Sequence, residues 1–312
     1  MTETLNSDKW EREINELLAG HSSLNELLET AWEVRNRHFP SVIQFDYPEG
    51  TPAISLTGAD CDLNCSHCGG HYLKGMLDKP KAEQKLARKP AKSCLISGGC
   101  NHQGTVDTGK EIAWVQNLRE QLTGNQRINM HVGLVEGEQL TQVAQLADVV
   151  SFDIVGDDQT IREVYHINKT AYDYEQCYQE LCKHVKVIPH ICIGLRGGEL
   201  GHELKALQML KTNGVDALVF IVFIPTKGTH YENKQPPVLE QTVELLARAR
   251  IMFPDIPISL GCMRPKGSYR AKLDYLSVLA GVNRLVIPTS PTKLLVKRKG
   301  LQVTLGEECC IL

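Results

Sequence analysis

From residue 50 onward, short apolar runs alternate with longer segments of helical spacing, and this alternation limits the fold more than any other feature of the chain. The runs read as strands at 52–57, 92–98, 128–134, 148–154, 185–194, 217–224, 257–262 and 284–289. Helical patterns fill 108–122, 138–146, 173–183, 200–213, 238–252 and 268–281, with Gly124, Asn213 and Gly281 placed as C-terminal stops. Eight strands alternating with helices, several apolar on both faces, predict an α/β fold: a closed parallel (β/α)8 barrel of TIM type. An open doubly wound sheet is the structural alternative.

Residues 8–38 precede this pattern and predict one or two amphipathic helices, carried by Trp10, Ile14, Leu17 and Leu18, then Leu24, Leu27, Leu28, Ala31 and Val34. They are expected to cap the bottom or side of the barrel. The chain thus divides into a helical extension (1–49), a barrel (50–300) and a cysteine-containing tail (301–312).

A net charge of −3 and a pI near 6.4 argue against binding nucleic acid through a basic field. No stretch approaches the apolar length of a membrane helix. The first residues, MTETLNSDKWERE, are polar and acidic, unlike a secretory or transit peptide. A cytoplasmic location is expected.

Eleven cysteines are unusual in such a chain. The number is odd and no export signal accompanies it, so metal binding or chemistry is a better expectation than a disulfide framework. Cys61, Cys65 and Cys68 have the spacing C-x3-C-x2-C in LTGADCDLNCSHCGGHYLKG, directly after the first strand. That places them on the C-terminal face, where barrel active sites lie. Three thiolates on a [4Fe–4S] cluster leave one iron without a protein ligand, and an open coordination position suits catalysis. Zinc is the competing reading, with His67 or His71 as fourth ligand, but structural zinc sites usually need a second ligand pair, and none lies nearby. Plain packing is the third.

This loop resembles that of the radical S-adenosylmethionine (SAM) superfamily, although His67 stands where the family usually has an aromatic residue. The resemblance implies that the amino and carboxylate groups of SAM chelate the open iron, and that reductive cleavage yields a 5′-deoxyadenosyl radical. Further segments follow in family order. Ile96-Ser97-Gly98-Gly99-Cys100 resembles the segment that meets the SAM amino group, with Cys100 in place of the usual acid. Ser151 and Asp153 are expected near the ribose or methionine moiety. Gly194 and Arg196 lie in a glycine-bearing segment similar to one near the adenine. Ile224-Pro225-Thr226-Lys227-Gly228-Thr229 looks like the Ile-Pro-x-x-Gly-Thr of biotin-synthase relatives.

The other eight cysteines divide by position. Cys94, Cys177, Cys182 and Cys192 read as small buried hydrophobes. Cys100 and Cys262 end strands at the active face. About ten extended residues span about 33 Å, enough for a tail bearing Cys309 and Cys310 to return there. These four are expected to converge on a second, auxiliary iron–sulfur cluster. Arg264 is expected to balance its charge or bind a carboxylate, or else to be an ordinary surface arginine. His131 and His190 lie in strands where they would line the barrel, and they read as satisfied core histidines in preference to catalytic ones.

Ser-Gly-Gly-Cys, Gly-Cys-Met-Arg-Pro-Lys-Gly, Ala-Gly-Val-Asn-Arg and Glu-Cys-Cys together look most like a biotin-synthase-related group that includes the two-component lipoyl synthases. That resemblance implies sulfur insertion at C6 or C8 of an octanoyl-lysine on a lipoyl-carrier protein. It also implies a second radical SAM protein and an external electron donor. A carbon-skeleton rearrangement or cofactor-maturation enzyme and a non-catalytic iron–sulfur scaffold are the other two readings.

Overall fold

The structure, a computed structural model, describes residues 2–109, 111–122 and 124–312. Two helices open the chain, α1 (Thr2–Ala19) and α2 (Ser22–His38), followed by β1 (Val42–Asp46) and β2 (Ala53–Ser55). Next come α3 (Lys79–Arg88), β3 (Ser93–Ser97), α4 (Ile112–Gln121), β4 (Arg127–Met130), α5 (Gly137–Leu146) and β5 (Val149–Asp153). A short α6 (Asp158–Thr160) runs into a π-helical turn at Ile161–Tyr165. The remainder is α7 (Ala171–Cys182), β6 (Val187–Ile193), α8 (Glu203–Asn213), β7 (Leu218–Val222), α9 (Leu239–Met252), β8 (Ile258–Leu260), α10 (Gly267–Leu279), β9 (Arg284–Val286), α11 (Ser290–Arg298) and β10 (Gln302–Gly306). The helix expected over 108–122 is seen as α4; Lys110 lies outside the described residues.

All strand pairs are parallel, in the order β10-β1-β9-β8-β7-β6-β5-β4-β3-β2. The eight expected strands are present, but the sheet has ten, not eight. β1 and β10 join beside β9, with Phe45 opposite both Leu285 and Leu305. The sheet is a curled half-barrel whose ladder has edges at β2 and β10. Across the seam, the Gly50 amide donates to the Glu307 carbonyl at 2.7 Å, and the Lys92 amide donates to Gly50 at 3.0 Å.

The sheet separates two apolar clusters, as the alternation of side chains along each strand requires. Val150, Phe152, Ile191, Phe220, Leu260 and Leu285 face outward into the main core under the helices. Val149, Ile188, Val219 and Val286 face inward and pack against Cys310 and Ile311 of the tail. The tail therefore enters the lumen. Asn129, Ser151, Asp153, His190 and Arg284 share this inner face by the same alternation, so the lumen is polar where a filled barrel would carry aliphatic layers.

The two N-terminal helices pack on the barrel's side. Leu24, Leu28 and Ala31 of α2 are buried, and α2 lies against α9 and α10. A Cβ at Gly281 (φ +84°) would lie 3.1 Å from the Ala31 carbonyl and 2.9 Å from Arg250 Cγ, so only glycine lets α2 approach this closely. Among the described residues, no helix is long and apolar enough to cross a membrane.

Candidate active site

The cysteine loop begins after β2 and is wound by its own backbone. The amides of Cys68 and Gly69 donate to the Cys65 carbonyl at 3.1 and 2.8 Å, and that of His71 donates to Cys68 at 2.8 Å. Gly69 and Gly70 take the left-handed conformation (φ +52° and +68°) that this tight winding needs. Neighbouring elements pin the loop. The Ser66 amide donates to the Val164 carbonyl at 2.8 Å and its hydroxyl to the Glu163 carbonyl at 2.9 Å, both in the π-helical turn. Tyr72 Oη lies 3.2 Å from Thr226 Oγ1, joining the loop to the segment after β7.

β3 supplies the facing wall. A Cβ at Gly99 would sit 1.9 Å from the Asp60 carbonyl and 2.6 Å from Cys61 Cβ, so the loop rests directly on the Gly99 backbone. The Gly99 amide is already used, donating to Thr57 Oγ1 at 2.7 Å, and Gly98 packs against Val106 and Thr57. The Asp62 amide donates to the Cys100 carbonyl at 2.9 Å, and Cys61 Sγ lies 3.8 Å from that same oxygen. Burial raises the Cys65 thiol, and Cys68, Cys61 and Cys100 raise it further. Burial with the nearby Cys61, Asp153 and Cys68 pushes Cys100 up to about 12. Cys100 thus lies beside the thiols of the cysteine loop.

Deeper in the lumen, His131 Nε2 lies 3.3 Å from Asp153 Oδ2. Burial opposes the Asp153 charge, but His131, His190 and His67 outweigh it and hold the carboxyl near about 2. Burial also opposes a charge on His131, yet Asp153 raises it overall. His190 stacks on His131 with ring centroids 5.9 Å apart, and burial drops it to about 4. These two histidines line the lumen and both are satisfied, His131 by Asp153 and His190 by the Ile188 carbonyl at 3.1 Å. The Ser151 hydroxyl donates to Asn129 Oδ1 at 3.0 Å, so its proton is not free for a ligand.

The tail brings together a lower set. Cys310 is buried with Ile311 against the inner faces of β5, β6 and β7, and it interacts electrostatically with Cys309 and Cys262. Cys262 is accessible to solvent, yet surrounding protein atoms still raise its thiol, as expected beside a wide internal space. A hydrogen bond from Cys310 lowers Cys309 to about 7. The Cys309 amide donates to Thr51 Oγ1 at 2.9 Å, Arg127 pairs with Glu308 at 2.7 Å, and Arg284 Nη2 donates to the Leu312 carbonyl at 3.1 Å. Arg284 also bridges to the buried Asp46 at 3.2 Å. An arginine inside the apolar run of β9 was the available signal for this role. Thr51 and Asp46 gave none.

Other expectations are corrected. Arg264 is not a surface residue: it is fully buried, binds the carboxylate of Asp274 at 2.6 and 3.2 Å, and donates to the carbonyls of Gly261 and Val286, while its charge opposes the rise that burial gives the Cys262 thiol. Cys94 and Cys177 are buried, whereas Cys182 is exposed and Cys192 shares the lumen face of β6 with His190. Gly194 (φ +70°) forms a turn whose amide donates to the buried Glu203 at 2.7 Å. Arg196 reaches Glu199 at 3.4 Å and Glu163 at 3.8 Å. The carbonyl of Ile224, next to Pro225, accepts from Thr226, which is the partner of Tyr72 in the cysteine loop.

Among the described residues, no three His, Cys, Asp or Glu side chains converge as they would on a single metal ion. A cubane asks for something wider, because each thiolate binds its own iron. Three free thiols in one loop suit it. The buried polar atoms His67 Nδ1, Asn129 Nδ2 and Asp153 Oδ1 lack partners, as groups awaiting a ligand do.

No family model matches the chain. A biotin synthase from Ruthia magnifica subsp. Calyptogena magnifica is 24% identical over 282 residues, covering 84% of this chain and 82% of that protein. The structure of methylornithine synthase (PylB) superposes with a TM-score of 0.65 at 16% identity, covering 96% of this chain and 97% of that one. The FeFe-hydrogenase maturase HydG from Carboxydothermus hydrogenoformans gives 0.69 at 15%, covering 97% and 80%. The two structures share the fold. The cysteine loop and the sequence relative give the chain a likeness to radical SAM proteins.

Proposed function

We propose that the protein is a radical SAM sulfur-insertion enzyme: a lipoyl synthase component that adds sulfur to C6 or C8 of an octanoyl-lysine on a carrier protein. The observation that carries this reading is the lower thiol set. Cys262, Cys309 and Cys310 are gathered inside the lumen, beyond the Asp153–His131 pair from the mouth thiols. A substrate between the two sets would meet a radical source above and a sulfur source below.

When bound on Cys61, Cys65 and Cys68, the cluster and SAM supply the hydrogen-abstracting radical. The remaining work falls to the chain. Gly98 and Gly99 bring the wall of β3 against the loop, and the unpartnered Asp153 Oδ1 offers an acceptor to a hydroxyl-bearing group of SAM. Ser151 holds Asn129, while Arg196, Gly194, Ile224 and Pro225 build the rim. The enclosing sheet and the tail packed inside it shield a carbon radical from bulk water. Cys262, Cys309 and Cys310 hold the sacrificial auxiliary cluster. An external electron donor, an octanoylated carrier and a second radical SAM protein complete the system, at work in the cytoplasm.

The test is iron and sulfide content after anaerobic reconstitution, followed by SAM, reductant and octanoylated carrier. About eight irons, about four in the Cys262/Cys309/Cys310→Ala variant, and sulfur on the octanoyl chain by mass spectrometry are expected. About four irons in both proteins would overturn the reading. The rearrangement reading would then lead, supported by superposition on methylornithine synthase over nearly the whole of both chains.

A further inference from the structure

Cys100 stands where the superfamily pattern usually carries an acid, and the structure fixes it at the mouth. Its carbonyl accepts the Asp62 amide at 2.9 Å and lies 3.8 Å from Cys61 Sγ, while the Gly99 backbone beside it touches Asp60 and Cys61. Its own Sγ lies 3.6 Å from the Cβ position of Gly133, beyond the end of β4, so the thiol projects over the lumen mouth. Cys100 therefore stands in the same small region as the three loop thiols, where a cluster needs only three. The electrostatic neighbours of Cys100 include Cys61, Asp153 and Cys68.

We infer that Cys100 is the fourth thiolate of the mouth cluster while SAM is absent, and that it yields that iron when SAM binds. The inference rests on placing the cluster on Cys61, Cys65 and Cys68. Thiolate is a strong ligand for iron, and an open iron beside a tethered thiol will take it in preference to water. The exchange balances. The Fe–S bond to Cys100 breaks, and bonds form to the amino nitrogen and a carboxylate oxygen of SAM. The proton that the SAM ammonium must lose is taken by the Cys100 thiolate. No electron moves. Cys100 then protects the otherwise open iron between turnovers.

The test compares Cys100→Ala with its parent in a Cys262/Cys309/Cys310→Ala background, so that only the mouth cluster is read. Each protein is treated with one equivalent of ferricyanide, with and without SAM, and iron per chain and the [3Fe–4S] electron paramagnetic resonance signal are measured. Without SAM the parent should keep about four irons, while Cys100→Ala falls to about three and gains the signal. SAM should protect both. Equal loss from both proteins without SAM would overturn the role of Cys100. Absence of iron in both before oxidation would overturn the cluster placement instead. If the background variant does not fold, the same signal per chain is compared between the full chain and its Cys100→Ala variant. Equal signals there also overturn the inference.

Discussion

The backbone amide of Cys309 donates to Thr51 Oγ1 at 2.9 Å, linking the tail to the entry of β2 across 258 positions of sequence. Thr51 Oγ1 also lies 2.6 Å from Ser93 Oγ, so one hydroxyl joins the tail to β3 as well. The lower thiols owe their place in the lumen to this junction and to the Arg127–Glu308 and Arg284–Leu312 contacts. Replacing Thr51 by Val removes the acceptor and leaves a buried amide unpaired, at a cost of about 1–3 kcal/mol. Faster hydrogen exchange in peptides covering 308–312 is expected. Unchanged exchange would show that the salt bridges alone hold the tail.

Gly99→Ala tests the seat of the mouth cluster. The new methyl would meet the Asp60 carbonyl and Cys61 Cβ at distances no side chain tolerates, so the cysteine loop must shift. Circular dichroism should retain its native form, while iron bound after reconstitution of the lower-thiol-free background falls to less than half. Full iron loading would mean that the loop adapts without losing its ligands.

The buried Arg264–Asp274 pair is a stability element. Asp274 is fully enclosed and also accepts the Thr289 amide at 3.1 Å. Asp274→Ala leaves the guanidinium charged and unpaired, and a loss of about 3–5 kcal/mol is expected in urea unfolding of the metal-free chain. A change below about 1 kcal/mol would restore a ligand-binding role to Arg264.

His131 should titrate above its usual value because Asp153 favours its charged form. The stabilisation is therefore fully present below about pH 6.5 and is lost as pH rises through the raised folded value. Nuclear magnetic resonance of the imidazole protons should show a midpoint above 6.5 in the parent and below 6.5 in Asp153→Asn, where burial acts unopposed. An unmoved midpoint would separate the two residues.

His190 carries the opposite sign. Burial holds it near about 4, so the unfolded chain binds its proton first as pH falls. Stability should drop between about pH 6.5 and 4, by on the order of 2–3 kcal/mol. A His190→Phe variant should show a shallower decline of the urea midpoint across that window. An equal slope would place the acid sensitivity elsewhere.

The eight core strands were legible because each is a short, largely apolar run between helical segments. β1 and β10 were not. β10 is Gln302–Gly306, largely exposed along its length, and it is a strand only because β1 pairs with it. Gly306 shows the dependence, since a Cβ there would lie 2.1 Å from the Asp46 carboxylate. The mouth thiols were legible for another reason: loop spacing and position after a strand are local properties. The grouping of Cys100 was not local. Its place at the end of β3 was right, but its partners depend on which neighbour the Gly99 backbone lets approach.

By itself the sequence determined the class of fold, the placing of three cysteines in one loop after a strand and the resemblance to radical SAM proteins, because periodicity and short spacing act within a few residues. Tertiary structure alone decided that the tail enters the lumen and that Cys100 faces Cys61. It also turned His131 and His190 toward Asp153 and left Arg264 inside with Asp274. Each of these depends on contacts between segments far apart in the chain, where burial, ion pairing and the absence of a single Cβ select one arrangement among many the local pattern allows.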